Sequence, residues 1–192
     1  IPSAFGIFIL SEEIIRVLFG RGDFSNNDVL ITSKILLIYS FSLPGYMLAR
    51  IFNQVFYSYE RVEYPVRAAV PTFICNLILC FLFYKPLGVI GLALAGAISV
   101  WLNLFIQIYY LKKHFNSFFK KIIILDTNKL IKILLSAFSM YISILFIKKI
   151  TYLNIYFDLL IQILIGLVIY FLILNWLKLS ELKLIFQLKK FN

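Results

Sequence analysis

Residues 44–69 read PGYMLARIFNQVFYSYERVEYPVRAA, and this stretch decides how the rest of the chain is interpreted. An arginine inside an apolar helix is costly when it faces lipid, so Arg50 predicts a face turned to a protein interior or a watery cavity. The alternative is that Arg50 lies close enough to the helix end for its guanidinium to reach the lipid headgroups. Spacings of three and four place six polar residues on this one helical face: Tyr46, Arg50, Asn53, Gln54, Tyr57 and Arg61.

The composition indicates an integral membrane protein. Hydrophobic residues make up 62% of the 192 residues and charged residues only 15%, and the mean hydropathy is +0.93. A soluble chain of this length needs far more polar surface. The net charge of +10 does not indicate nucleic acid, because the basic residues lie between apolar runs, where they contact membrane lipids and set the orientation of the protein.

The pattern of apolar runs and breaks predicts an all-α polytopic membrane protein with about six transmembrane helices. The chain starts inside an apolar run without an initiating Met, so we expect a C-terminal fragment whose first residues end a membrane helix. The predicted spans that follow lie at about 27–59, from Pro65 to 84, 89–111, 130–147 and 159–177.

Several residues are expected to shape these helices. Pro44 bends the second helix, and Pro65 opens the third at its first position, where the missing N–H does no harm. Pro86 and Gly88 lie in a tight turn, and Gly91 begins a run of small residues that permits close helix contact. Thr72, Asn76 and Cys80 form a line of small polar residues at i, i+4 and i+8, which predicts contact with another helix rather than a ligand site. Ser99, Asn103 and Gln107 form a polar line down one face of the fourth helix.

The distribution of basic residues predicts the orientation. Twelve basic residues lie in the 61–67 turn, the 112–132 region and the tail, whereas five lie in the segments on the opposite side of the membrane. The positive-inside rule therefore places the first group, and the C-terminus, in the cytoplasm. Residues 179–192 have the spacing of a basic amphipathic helix on the membrane surface.

No pattern predicts a metal, a cofactor or a catalytic residue. Cys75 and Cys80 lie five apart inside an apolar run, which fits neither a redox pair nor a zinc site. A membrane-embedded transferase needs carboxylates or a histidine for acid–base chemistry, and only Glu12 and Glu13 lie in an apolar span. We therefore do not expect an enzyme.

Three stretches, in this order, resemble the MurJ (MviN-type) lipid II flippases of the multidrug/oligosaccharidyl-lipid/polysaccharide exporter superfamily. They are LFGRGDF at 18–24, FYSYERVEYPVRAAV at 56–70 and NLILCFLFYKPLGVIGLALAGAISVWLN at 76–103. The family patterns read roughly LFxxGxF, FYxxxDxxTPVK/R and NLxLxxxLxxPLGxxGLALAxSxxxxxN. The chain departs from them at Tyr64, where threonine is common, and has Glu60 or Glu63 near the usual aspartate.

The resemblance implies most of the C-terminal lobe of a fourteen-helix flippase. Residues 1–113 then correspond to the end of family helix 9 through helix 12, 114–129 to a cytoplasmic basic linker, 130–178 to the last two helices and 179–192 to the tail. The implied activity is transfer of an undecaprenyl-linked peptidoglycan precursor to the outer leaflet of the bacterial cytoplasmic membrane by alternating access. The fragment is not expected to transport without the N-terminal lobe.

In the family, a cationic cavity between the lobes takes the headgroup and a groove at the last two helices takes the polyprenyl tail. By this resemblance Arg50 matches a basic cavity position, and Asn53 and Gln54 share its face. Two alternatives remain open: another polysaccharide, O-antigen or drug exporter of the superfamily, and a membrane remnant that does not transport.

Overall fold

The computed structural model describes residues 1–114, 127–149 and 154–177. Five of the six helices in these ranges are long and apolar enough to cross a membrane. α1 has 18 residues and carries Glu12, Glu13 and Arg16 in its second half. The prediction of an all-α membrane protein is therefore confirmed. The helices are α1 (Pro2–Phe19), α2 (Asn26–Ser58), α3 (Glu63–Leu87), α4 (Val89–His114), α5 (Thr127–Lys148) and α6 (Ile155–Trp176).

Helix α2 begins at a reciprocal cap and is unusually long. The Ser25 hydroxyl accepts a bond from the Asp28 backbone N–H at 3.2 Å, and the Asp28 carboxylate accepts one from the Ser25 backbone N–H at 3.0 Å. Its 33 residues contain Pro44 and extend about 50 Å, well beyond the thickness of the hydrocarbon core. Both ends of α2 therefore project into the polar layers when it crosses a membrane.

The polar face of α2 that contains Arg50 ends earlier than the sequence predicts, because α2 stops at Ser58. Glu60 is left-handed, with φ 56°, and the Arg61 N–H donates to the Phe56 carbonyl at 2.9 Å, which closes the helix as a Schellman motif. Arg61 therefore lies in the turn and not on the α2 face with Arg50, so that part of the prediction is wrong. Pro65 is the third residue of α3 rather than its first. A proline is still tolerated there, because the N–H groups in the first turn of a helix have no carbonyl partner within the helix.

The connection from α3 to α4 is shorter than the predicted turn. Lys85, Pro86 and Leu87 belong to the last turn of α3, so Gly88 alone separates the two helices. Gly88 has φ +57°, a conformation that glycine adopts without a steric penalty. The two helices therefore form an antiparallel hairpin.

The helices form two packed groups that α1 and α2 join. One buried cluster lies among α2, α3 and α4, and includes Phe52, Phe56 and Leu104. The other lies among α1, α5 and α6, and includes Leu10, Ile144 and Tyr170. α2 and α3 both pack along α4 but hardly touch each other. A cleft consequently opens between α2 and α3, with α4 as its floor.

Some predicted boundaries differ from the observed ones. α4 extends to His114 and α5 starts at Thr127, so both ends of the predicted linker 114–129 are helical. Residues 115–126 of that linker, and the predicted tail helix at 179–192, lie outside the described residues. The predicted division into family helices 9 to 14 stays a prediction.

Replacing Gly91 by Ala is expected to destabilise the α3–α4 hairpin. A Cβ atom at this position would lie 2.3 Å from the Phe83 carbonyl oxygen, so the two backbones must separate. We expect a loss of about 1–3 kcal/mol in the free energy of unfolding, measured by thermal unfolding in detergent. Gly96→Ala is the control, because its Cβ would meet only the Tyr39 ring, at 3.9 Å. Equal losses in the two variants would mean that the close approach to Phe83 does not limit stability.

Lys148→Met is expected to loosen α5 from α1. The Lys148 ammonium lies 2.6 Å from a Glu13 carboxylate oxygen and donates to the Ile9 carbonyl at 2.8 Å. Both side chains are only about a quarter exposed, so removing the cation leaves Glu13 poorly compensated and costs about 1–3 kcal/mol.

The exposed Glu12–Arg16 pair, which lies on α1 like Glu13, provides the control. Glu12→Gln should cost less than about 1 kcal/mol, because exposed ion pairs contribute little. Restoration of stability by Glu13→Gln in the Lys148→Met background would support the pairing. A Lys148→Met variant as stable as the native chain would refute it.

Candidate functional site

A polar cleft of about 370 Å³ lies between α2 and α3, with α4 beneath it. Each helix contributes polar residues one turn apart, Arg50 and Asn53 from α2 among them, so all of them face the same space. The small side chains of Ala49 and Gly96 leave room between the helices. The lining residues are Tyr46, Ala49, Arg50, Asn53, Thr72, Asn76, Gly96, Ser99, Val100 and Asn103.

Arg50 supplies the only charge among the residues that line this cleft. It lies eight residues before the end of α2 at Ser58, which corresponds to about 12 Å along the helix. Its side chain is exposed, and among the described residues no carboxylate or hydrogen-bond acceptor engages its guanidinium. The guanidinium therefore stands beside a hollow with its donors available, in line with the cavity prediction.

The three asparagines of the cleft use their side-chain carbonyls to bond neighbouring side chains. Gln107 Nε2 donates to Asn53 Oδ1 at 3.0 Å and to Asn103 Oδ1 at 2.6 Å. The Cys80 thiol donates to Asn76 Oδ1 at 3.1 Å. None of the three NH₂ groups has a partner within the described part of the chain, so all three are available to a ligand.

The Thr72 and Ser99 hydroxyls of the cleft are bonded to their own helices. Thr72 donates to the Ala68 carbonyl and Ser99 donates to the Ala95 carbonyl, each at 2.7 Å. Their protons are therefore occupied, and the donors that the cleft still offers are the amide and guanidinium N–H groups and the phenolic O–H of Tyr46. Such a lining favours a ligand with acceptor oxygens, such as a phosphate or a sugar.

A second, apolar cavity of about 500 Å³ lies on the other side of the α2–α4 contact. Gly45 forms part of the wall between the cavities, since a Cβ there would lie 3.3 Å from the Trp101 ring. The indole N–H of Trp101 is buried without a partner among the described residues. The cavity is lined by Ala4, Phe5, Phe8, Ser40, Phe41, Pro44, Trp101, Phe138 and Tyr141.

This apolar cavity does not lie between the last two helices, where the resemblance places the tail groove. Its lining comes from α1, α2, α4 and α5. α5 and α6 instead pack closely, because Gly166 allows Ile144 to approach to 3.1 Å of its Cβ position. Of the last two helices, therefore, only α5 lines the apolar cavity.

The structure brings some of the predicted site residues together and separates others. Arg50 and Asn53 line the polar cleft, whereas Gln54 is exposed and lies outside it. Asn76, for which the sequence predicts a helix contact, and Asn103, on the polar line of α4, also line the cleft. The two polar lines on α3 and α4 were visible in the sequence, but their spacing did not show that they face α2. Substrate binding by all of these residues remains a prediction.

No group of three histidine, cysteine, aspartate or glutamate side chains that could hold a metal ion occurs within 1–114, 127–149 and 154–177. The expectations of no metal and no cofactor stay predictions. The chemistry available at the polar cleft is hydrogen bonding and charge pairing.

A protein-family model and a solved structure both match most of this chain. The family model, described as lipid II flippase MurJ, matches residues 1–173. The solved structure, described as lipid II flippase MurJ in an inward closed conformation, superposes with a TM-score of 0.75 and 30% identity, over 90% of this chain and 34% of that one.

Curated relatives give the same family. A lipid II flippase MurJ of Thermosipho africanus is 32% identical over 170 residues, which cover 88% of this chain and 33% of that protein. A probable lipid II flippase MurJ of Aquifex aeolicus is 42% identical over 101 residues, 52% of this chain and 20% of that protein. The chain thus spans a third or less of the length of these relatives. The matched family model, the fold and these relatives together establish that the chain belongs to the MurJ lipid II flippase family.

Proposed function

We propose that this chain forms part of a flippase that moves lipid II, the undecaprenyl-linked peptidoglycan precursor, from the inner to the outer leaflet of the bacterial cytoplasmic membrane. The observation that carries the proposal is the cleft in which the Arg50 guanidinium stands without a counter-ion among the described residues, within a helix long enough to span the membrane. A guanidinium binds phosphate oxygens through a planar fork of donors. The substrate headgroup supplies those oxygens.

The cleft is open, which suits alternating access between two lobes. In a full-length member of the family, the opposite lobe faces this opening and contributes further headgroup contacts. The exposed position of Arg50 on α2 is consistent with a partner surface across the cleft. Movement of the two lobes then exposes the headgroup site to each side of the membrane in turn.

The apolar cavity supports the same proposal, because the proposed lipid substrate also has an apolar part. Its lining is almost entirely hydrocarbon and aromatic, and it is separated from the polar cleft only by the contact around Gly45 and Trp101. An amphiphilic lipid needs polar and apolar surfaces close together. This arrangement supplies both within one helical layer.

Other functions receive less support. The matched family and the two relatives are described as lipid II flippases, and neither relative is named as an O-antigen or drug exporter. These relatives are flippases, and so transporters, by name. The expectation that the chain is not an enzyme stays a prediction. A remnant that does not transport remains the alternative, and a measurement of activity distinguishes it from a flippase.

Arg50→Ala is expected to reduce lipid II translocation strongly. The measurement uses proteoliposomes containing a chimaera in which this chain replaces the aligned segment of the Thermosipho africanus relative. Loss of a charge-assisted bond to phosphate removes about 1.5–3 kcal/mol, which corresponds to roughly a 10- to 100-fold loss of affinity. Arg50→Lys should retain part of the activity, because it keeps the charge but loses the fork geometry.

Lys34→Ala is the matched control for this experiment. Lys34 is a cation of the same helix, is exposed, and does not line the cleft. Full activity of the Arg50→Ala chimaera at normal protein level would mean that Arg50 only reaches the headgroups. Inactivity of the unmodified chimaera, when the chain inserts normally, would favour the remnant.

The charge distribution predicts a cytoplasmic α2–α3 turn and external α1–α2 and α3–α4 turns. Single cysteines at Glu60, Asp23 and Lys85, in a chain with Cys75 and Cys80 replaced by Ala, test this in intact cells. A membrane-impermeant maleimide should label Asp23→Cys and Lys85→Cys but not Glu60→Cys. The reverse pattern would place the C-terminus outside and contradict the positive-inside assignment.

A further inference from the structure

Gln107 is the most deeply buried polar side chain beside the polar cleft. It is 1% exposed, and it lies on α4 one turn beyond Asn103. Its Nε2 donates to Asn103 on the same helix and to Asn53 on α2. One amide group therefore joins the two helices and also contacts two of the three asparagines that line the cleft.

The burial of Gln107 favours its role as the donor in both bonds. Its Oε1 is buried and has no partner among the described residues. If the oxygen and nitrogen of the amide exchanged places, two N–H groups would be buried without acceptors in place of one oxygen. Unpaired buried donors are rarer and more costly than an under-used carbonyl oxygen. The observed arrangement is therefore the more stable one.

We propose that Gln107 is a positioning residue that makes the cleft a donor surface. By binding the carbonyls of Asn53 and Asn103, it turns their NH₂ groups toward the open space beside the Arg50 guanidinium. The ligand class this surface takes is an oxygen-rich anion, such as a phosphate or pyrophosphate group. The identity of the lipid rests on the proposed function. The orientation of the two asparagine amides does not depend on it.

The side-chain amide of Asn76 has the same orientation, although Gln107 does not contact it. The Cys80 thiol occupies Asn76 Oδ1, which again leaves the NH₂ group free. All three asparagines, on three different helices, therefore present donors and withhold acceptors. A cleft built to hold a metal cation or an ammonium would need the opposite orientation, with the carbonyl oxygens directed inward.

The first experiment measures the orientation itself without any ligand. The side-chain NH₂ protons of Asn53 and Asn103 are followed by ¹⁵N nuclear magnetic resonance in the 192-residue chain in lipid nanodiscs. In the native chain these protons should exchange rapidly with water in the cleft. In Gln107→Glu the carboxylate accepts bonds from both NH₂ groups, so both amides turn around and exchange should slow at least about tenfold.

The second experiment measures ligand binding to the full-length chimaera with the Thermosipho africanus relative, carrying the same variants, with three probes: undecaprenyl pyrophosphate, undecaprenol and inorganic pyrophosphate. Gln107→Glu should weaken undecaprenyl pyrophosphate binding at least about tenfold and leave undecaprenol unchanged. Gln107→Leu frees the carbonyls without adding a charge, so it should weaken binding by a smaller factor. Competition by inorganic pyrophosphate shows whether the free anion suffices or the lipid is required.

Gln162→Glu is the matched control. Gln162 lies on α6, is 3% exposed, and its Oε1 is also buried without a partner among the described residues. The same chemical change there should alter neither the exchange of the asparagine amides nor the binding of the probes. An equal effect at Gln162 would mean that the loss at Gln107 is a general consequence of a buried charge, and would overturn the proposal.

The remaining outcomes separate this proposal from the proposed function. Unchanged amide exchange in Gln107→Glu, or unchanged pyrophosphate-lipid binding in both Gln107 variants, would overturn the positioning role. Changed amide exchange in the 192-residue chain, together with a chimaera that binds none of the three probes, would support the positioning role and contradict the headgroup site. If Gln107→Glu does not fold, Gln107→Leu and its binding of undecaprenyl pyrophosphate decide the question.

Discussion

A guanidinium inside a membrane helix has to be kept away from hydrocarbon, and this constraint arranges the central helices of the chain. Arg50 lies about 12 Å from the end of α2, and its side chain lines the cleft between α2 and α3 together with polar groups of the neighbouring helices. α3 and α4 supply them through Asn76, Ser99 and Asn103. The separation of α2 from α3, each packed on α4, keeps this space open.

The same helices also separate polar from apolar space. The α2–α4 contact, tightened by Gly45 against Trp101, has the polar cleft on one side and the apolar cavity on the other. α1 and α5 close the apolar side, held by the Lys148–Glu13 ion pair. The amphiphilic lipid of the proposed function needs a polar and an apolar environment within reach of each other, and the contact between α2 and α4 divides the two.

Much of the fold could be predicted because helix signals are local. The serine and aspartate at the start of α2 form a capping box from residues three apart in the chain, and the long apolar runs form helices. The errors occurred at helix ends. The sequence predicts Pro65 and Pro86 at helix boundaries, but α3 contains both, since its first turn needs no N–H donor at Pro65 and its last turn extends to Leu87. Arg61 was lost from the polar face because Glu60 closes α2 first.

The sequence by itself determined that the chain is helical and membrane-spanning, and that α2, α3 and α4 each carry a polar line, because periodicity and apolar content depend only on residue order. The tertiary structure decided which lines meet. It excluded Gln54 from the cleft, brought in Asn76 and Asn103, and placed Gln107 where it bonds two asparagines on two helices. The rotation of one helix against another is set by packing around small residues such as Gly45 and Gly91, and packing depends on residues far apart in the chain.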